Sequence, residues 1–125
     1  MLDTFFILAY DSVKLKCLIG YMDRFEISTL RSYYGALLTQ RQNDLLVMHY
    51  DEDLSFGEIA NIVGISRQAV LDGINKGEKH LCEYEQKLRL VEKDKKMHAV
   101  IDSLEKVDNE TAKNCAQQLR LLMEE

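Results

Sequence analysis

The stretch SFGEIANIVGISRQAV, residues 55–70, contains two helix starts separated by one helix stop. Ser55 and Glu58 have the spacing of a capping box, in which each side chain satisfies a backbone amide of the other. Gly64 can adopt the left-handed conformation that ends a helix, and Ser66 can cap the next helix almost at once. Since so short a link forces the two helices to cross at a large angle, the stretch predicts a helix-turn-helix.

Further helices are predicted before this motif. Apolar residues at helical spacing predict a helix from about 23 to 37, and they are Ile27, Leu30, Tyr34 and Leu37. Thr39 and Gln42 form another capping box, and the helix that it starts carries Leu45 and Leu46 before it stops in the acidic run 51–53. Three carboxylates in a row are either a cation site or a solvated turn, and the absence of other ligands nearby in sequence favours the turn.

The helix after the turn is long and has a regular apolar stripe. Its members follow at alternating steps of four and three residues and are Val70, Ile74, Gly77, Leu81, Tyr84, Leu88 and Val91. A period of 3.5 is explained first by a core-facing stripe inside one subunit, and the alternative is a seam between two copies. The polar run 93–96 interrupts the pattern.

Two more helices are predicted after the polar run, the second capped by Asp108 or Asn109. The chain is therefore predicted to be all-α, with a long recognition helix and additional C-terminal helices. We predict a helix-turn-helix domain over 22–96, with its motif at about 55–79, and a C-terminal helical segment over 97–125. Residues 1–21 lack a clear cap and are predicted to be an extension outside the functional unit.

Composition restricts the class of protein. The 125 residues are 46% apolar, with no proline and six glycines, which favours one helical core. Three widely spaced cysteines predict free, buried or half-buried thiols in a reducing cytoplasm, with no metal or other cofactor. Without a membrane-length apolar run or a secretory signal, the chain is predicted to be soluble and cytoplasmic.

The charge balance weighs against a broad nucleic-acid surface. The chain has a net charge of −5, whereas phosphate contacts usually need a basic footprint. Residues 66–80 contain three basic and two acidic groups, so any DNA binding depends on a local patch. The motif therefore stays open to a second interpretation, a solvated helical hairpin or a surface for protein contacts.

The second helix of such a motif enters the major groove with its first turns facing the base edges. Ser66 at the cap suits a phosphate, while Arg67 and Gln68 suit bidentate contacts with guanine and adenine. The predicted DNA-binding residues are Ser66, Arg67, Gln68, Leu71, Asp72, Asn75, Lys76 and Lys79. Because the local charge is weak for a monomer, we expect a homodimer, formed through the 70–91 stripe, the C-terminal helices, or both.

Residues 37–81 resemble region four of bacterial sigma factors, the helix-turn-helix that reads the upstream promoter element. The residues that carry the resemblance are Leu38-Thr39, Glu58-Ile59-Ala60, Gly64-Ile65-Ser66-Arg67 and Val70. More narrowly, SRQAV at 66–70 with Glu83-Tyr84-Glu85 resembles the YlxM-like family of small proteins from Gram-positive bacteria and mollicutes, a likeness that covers about 22–107. Their genes lie beside that of the signal recognition particle GTPase, which implies a regulatory role linked to that pathway.

The sequence departs from the YlxM-like pattern inside the recognition helix. Gly73 and Gly77 stand where the family favours asparagine and a polar residue, and an arginine is missing after Lys76. Both departures weaken the prediction of tight DNA contact.

Three classes of function can be compared on these residues. A DNA-binding regulator is the leading hypothesis. The alternative is a protein- or RNA-interaction module that acts with the signal recognition particle without reading a DNA sequence. An enzyme is the poorest hypothesis, because the sequence offers no phosphate-binding loop, catalytic carboxylate pair or Cys/His pair.

Overall fold

The computed structural model describes Cys17 and residues 22–124, and that part of the chain contains helices and no strand. In chain order the elements are α1 (Arg24–Tyr34), a 3-10 turn (Gly35–Leu37), α2 (Gln40–Leu46), a π-helical turn (Val47–Asp51), α3 (Phe56–Val63), α4 (Arg67–Leu88), α5 (Leu90–Glu105) and α6 (Glu110–Met123). The predicted all-α fold is confirmed. The prediction for residues 1–21 lies, apart from Cys17, outside the described residues.

The chain forms two compact units, residues 1–89 and 90–125. The division predicted from the sequence, at residue 96, stays a prediction about domains. Helix boundaries are clearer, because α4 ends at Leu88 and Arg89 takes the left-handed conformation with φ 55°. The prediction that the polar run 93–96 breaks a helix is wrong, since these residues lie inside α5. Lys93 and Lys95 are exposed, and Lys96 forms an ion pair with Glu92 at 2.8 Å, so a helix accommodates the run without interruption.

The core of the first unit is formed where α1, α2 and α3 pack against α4. Its fully buried side chains are Tyr34, Ile27, Leu30, Leu45, Leu46, Ile59, Ile74, Leu81 and Val70. The stripe of α4 is therefore core-facing up to Leu81, which confirms the first of the two interpretations of its period. Leu37, expected on the stripe of the first helix, is 54% exposed because it follows the end of α1.

A polar pair lies inside this core. The Tyr34 hydroxyl donates to Glu85 Oε1 at 2.6 Å, and both residues are buried. Burial of a carboxyl group is tolerated only when it is hydrogen-bonded. The pair therefore fixes α1 against α4 by a directional contact as well as by apolar packing.

Local caps start the helices as the sequence predicts, with one exception. The Thr39–Gln42 capping box is complete, and Asn109 accepts from the amide of Ala112 at 3.1 Å. Ser55 accepts from the Glu58 amide, but Glu58 Oε1 accepts from the Ser55 hydroxyl at 3.2 Å. The predicted capping box at Ser55 is therefore only half formed, because the glutamate engages the hydroxyl in place of the backbone.

The cysteines are free. Cys17 is half-buried and Cys82 is buried, as predicted, and the thiol of each lies within 3.7 Å of Met22 Sδ. Cys115 is exposed on α6, so the prediction of burial is wrong there. A two-helix unit has too little interior to cover every small side chain.

The second unit pairs α5 with α6. The guanidinium of Arg120 donates to Glu105 Oε1 and Oε2 at 2.7 and 2.9 Å, and it also contacts Asp102. This arrangement lowers the pKa of Glu105, first through the hydrogen bond from Arg120. Ion pairs between side chains therefore link the two helices on one side of the hairpin.

Candidate nucleic-acid interface

The turn between α3 and α4 is fixed by backbone hydrogen bonds. Gly64 ends α3 with φ 77°, a conformation that glycine adopts without a steric penalty. The amides of Gly64 and Ile65 both donate to the carbonyl of Ala60, at 2.9 and 3.2 Å. Ser66 Oγ then accepts from the Ala69 amide at 3.0 Å and caps α4. The predicted helix-turn-helix is thus formed with the stop, link and cap in their predicted places.

The predicted site residues lie together on the first turns of α4, on the side opposite its buried stripe. Ser66, Arg67, Gln68, Asp72, Asn75, Lys76 and Lys79 are exposed, and Leu71 is half-buried. Val70 and Ile74, which face the core, are at most 2% exposed. The result is one continuous polar face that begins at the capped end of a helix.

Arg67 is held by an aromatic stack that the sequence did not reveal. Its guanidinium carbon lies 5.8 Å from the centre of the Phe56 ring, within the range of a cation–π contact. The Phe56 ring stacks on His49 with centroids 4.6 Å apart, and His49 Nδ1 lies 3.0 Å from the Leu54 carbonyl oxygen. An aromatic residue directly after the Ser55 cap was the available signal, but only the fold brings it beneath Arg67.

Gln68 is oriented by its neighbour one turn on. Its Nε2 donates to Asp72 Oδ1 at 3.0 Å. A glutamine amide has two donor hydrogens and an acceptor oxygen, so this bond leaves one hydrogen and the oxygen available. Asp72 therefore limits the directions in which Gln68 can present its amide, although its own charge opposes phosphate.

Glu78, the other acidic residue of segment 66–80, is only partly exposed on the polar face of α4. It is half-buried and accepts a hydrogen bond from the Tyr50 hydroxyl. Burial raises the pKa of Glu78, while the Tyr50 hydroxyl and His49 act in the opposite direction. Asp72 is thus the exposed acidic residue among 66–80.

Close packing against α2 explains why α4 contains two glycines. A Cβ at Gly73 would lie 2.6 Å from Leu45 Cδ1, and one at Gly77 would lie 3.1 Å from Leu46 Cδ1. Both glycines therefore mark where α2 crosses α4 closely. The side chains that limit the space at both positions lie beneath the helix, on the face away from the candidate interface.

The acidic run 51–53 is a turn whose outer members are paired with arginines. Asp51 Oδ2 accepts from Arg31 at 2.9 Å, and Asp53 forms an ion pair with Arg24. Among the described residues, no group of three His, Cys, Asp or Glu side chains is placed to hold a metal ion. No helix in that part of the chain is both long and apolar enough to cross a bilayer.

Comparison with known proteins agrees with this geometry. The model of the UPF0122 family, described as "Putative helix-turn-helix protein, YlxM / p13 like", matches residues 21–122. The UPF0122 protein CPE1714 of Clostridium perfringens strain 13 is 45% identical over 82 residues, which cover 66% of this chain and 73% of that protein. A UPF0122 protein of Latilactobacillus sakei is 41% identical over 96 residues, covering 77% and 85%. With a family match over most of its length, this chain belongs to the UPF0122 family of YlxM/p13-like helix-turn-helix proteins.

Proposed function

We propose that this protein is a DNA-binding regulator that inserts the first turns of α4 into the major groove. The observation that carries the proposal is the exposed polar face that starts at the Ser66 cap, with Arg67 and Gln68 foremost. This is the geometry in which a recognition helix reads base edges. Such a regulator would act in the cytoplasm, where bacterial DNA is found.

Each residue of the face has a role that its chemistry suggests. Ser66 and the first amides of α4 suit a phosphate at the positive end of the helix dipole. Arg67 suits guanine and Gln68 suits adenine, while the half-buried Leu71 suits the methyl group of thymine. Asn75, Lys76 and Lys79 continue along the face toward the DNA backbone. Asp72 acts by orienting Gln68.

Two copies are needed for useful affinity under this proposal. One copy brings three basic and two acidic residues over 66–80, and log affinity depends on the number of phosphates neutralised. A homodimer doubles the contacts and reads two half-sites about 34 Å apart, or a multiple of that distance. The dimer is therefore part of the proposed function.

The test measures binding to labelled genomic DNA fragments by electrophoretic mobility shift at two salt concentrations. Arg67→Ala should weaken binding at least about fivefold, since a bidentate contact contributes about 1–3 kcal/mol of discrimination. Lys87→Ala is the matched control, because Lys87 is also exposed and basic but lies in the last turn of α4. Wild-type protein that shows no salt-sensitive binding at low micromolar concentration would rule the proposal out.

A second candidate function is a protein- or RNA-interaction module of the signal recognition particle. The net charge of −5 favours its protein-binding form over a nucleic-acid surface, and the resemblance to YlxM-like proteins, whose genes adjoin that of the particle's GTPase, suggests the partner. Pull-down with the GTPase and gel shift with the particle RNA test this alternative. Binding to neither would exclude it, whatever the result with DNA.

A further inference from the structure

The α5–α6 hairpin has an apolar groove along one face. The groove has a volume of about 350 Å³ and is lined by Lys96, Met97, Val100, Ile101, Leu119, Leu122 and Met123. Several of these side chains are well exposed, among them Val100 at 60% and Leu122 at 66%. Both helices contribute to the groove, so its walls are two apolar ridges with a furrow between them.

The hairpin buries few apolar side chains of its own. Within residues 90–124, the buried apolar side chains are Val91, Ile101 and Ala116. Compact units below about 40 residues usually need a disulfide, a metal or oligomerisation to be stable. The cysteine of this unit, Cys115, is free. Oligomerisation through the groove would supply such stabilisation.

We infer that the groove is closed by the same groove of a second copy, giving a four-helix bundle. A partner that stabilises the hairpin must be present wherever the chain is made, and a second copy meets that condition. A two-fold interface uses the same patch on both subunits. Two ridges around a furrow satisfy it, because each copy offers a ridge to fill the other's furrow.

The size of the face is sufficient for such an interface. Sixteen residues of α5 span about 24 Å, and two packed helices are about 18–20 Å wide. Each copy would thus bury on the order of 500 Å², or about 1,000 Å² in total, the lower limit for a specific interface. Interfaces at this lower limit are typically weak, so we expect a reversible dimer.

The other seam considered from the sequence is closed over its first part. The stripe of α4 is occupied by its own unit up to Leu81, with Val70, Ile74 and Leu81 at most 2% exposed. A dimer through that stripe would first have to open the core. The inference rests on the proposed dimer and locates it, but it does not depend on DNA binding.

The test is light scattering of the full chain across a concentration series, with two neighbouring leucines compared. Leu122 lines the groove, whereas Leu121 is similarly exposed at 58% but does not line it. Leu122→Gln should raise the dimer dissociation constant about 100-fold, because two copies each lose a buried leucine. Leu121→Gln should change it less than about threefold, since that side chain stays in water.

A second pair of variants, with smaller changes, controls for the possibility that Leu122→Gln disturbs folding. Val100→Thr changes a groove residue with little change of shape, and Val107→Thr makes the same change at an exposed valine outside the groove. The first should weaken the dimer and the second should not. A dimeric wild type that Leu122→Gln and Val100→Thr leave dimeric overturns the groove assignment alone. A monomeric wild type at high concentration overturns the dimer and the assignment together, while the mobility-shift test of DNA binding stands separately.

Discussion

Replacing Gly73 by alanine sets two effects of known size against each other. Alanine in a helix interior is favoured over glycine by about 1 kcal/mol. The new Cβ, however, would lie 2.6 Å from Leu45 Cδ1, and overfilling a packed site costs about 1–3 kcal/mol. Leu45 is 1% exposed, so it has no open space into which to swing. We expect a net loss of about 1 kcal/mol in the free energy of unfolding.

Two controls separate packing from helix propensity. No atom lies within 4 Å of a Cβ built at Gly57, so Gly57→Ala should stabilise the protein by about 0.5–1 kcal/mol. Leu45→Val removes the δ carbon that the clash involves. In that background Gly73→Ala should change from a loss to a gain, a coupling of about 2 kcal/mol between the two positions.

The assay is urea unfolding followed by tyrosine fluorescence. All six tyrosines lie within residues 1–89, so the signal reports on the first unit alone. If Gly73→Ala stabilised the wild-type background as much as Gly57→Ala does, Leu45 would not control the space at Gly73. The packing explanation of this glycine would then be wrong.

Two further predictions concern a buried and a half-buried glutamate. Tyr34→Phe removes a hydrogen bond to the buried Glu85 and should lower the free energy of unfolding by about 2 kcal/mol. Glu85→Gln keeps an acceptor and should lower it by less than about 1 kcal/mol. Equal losses for the two variants in the urea assay would contradict this prediction. Burial raises the pKa of Glu78 above its ordinary value of 4.5, so the folded state binds this proton more tightly. The stability that this provides is complete below pH 4.5 and is lost as the pH rises through the raised pKa. Glu78→Gln, whose amide oxygen can still accept from Tyr50, should flatten that pH dependence, and unchanged slopes would refute it.

The helix starts and stops of this protein were predictable because they depend on neighbours in the chain. Thr39, Ser66 and Asn109 cap helices through bonds to amides three residues on. Gly64 ends α3 because its own backbone permits the left-handed conformation. The all-α class, the helix-turn-helix and the outward face of α4 all follow from such local rules.

The break between α4 and α5 was not predictable in the same way. Arg89 adopts a positive φ that arginine rarely takes, so the sequence carries no glycine or proline to mark the turn. The polar run 93–96 suggested a break but lies within α5. This boundary therefore carries no local signal from which the sequence could place it.

The sequence by itself determined the all-α class, most of the helix starts and which side of α4 is polar. Tertiary structure decided what the 3.5-residue period means, since burial of Val70, Ile74 and Leu81 depends on which helices meet them. It also decided that Phe56 lies beneath Arg67 and that Leu45 needs the space at Gly73. Caps and stops involve residues three or four apart, but these contacts join residues that only the folded chain brings together.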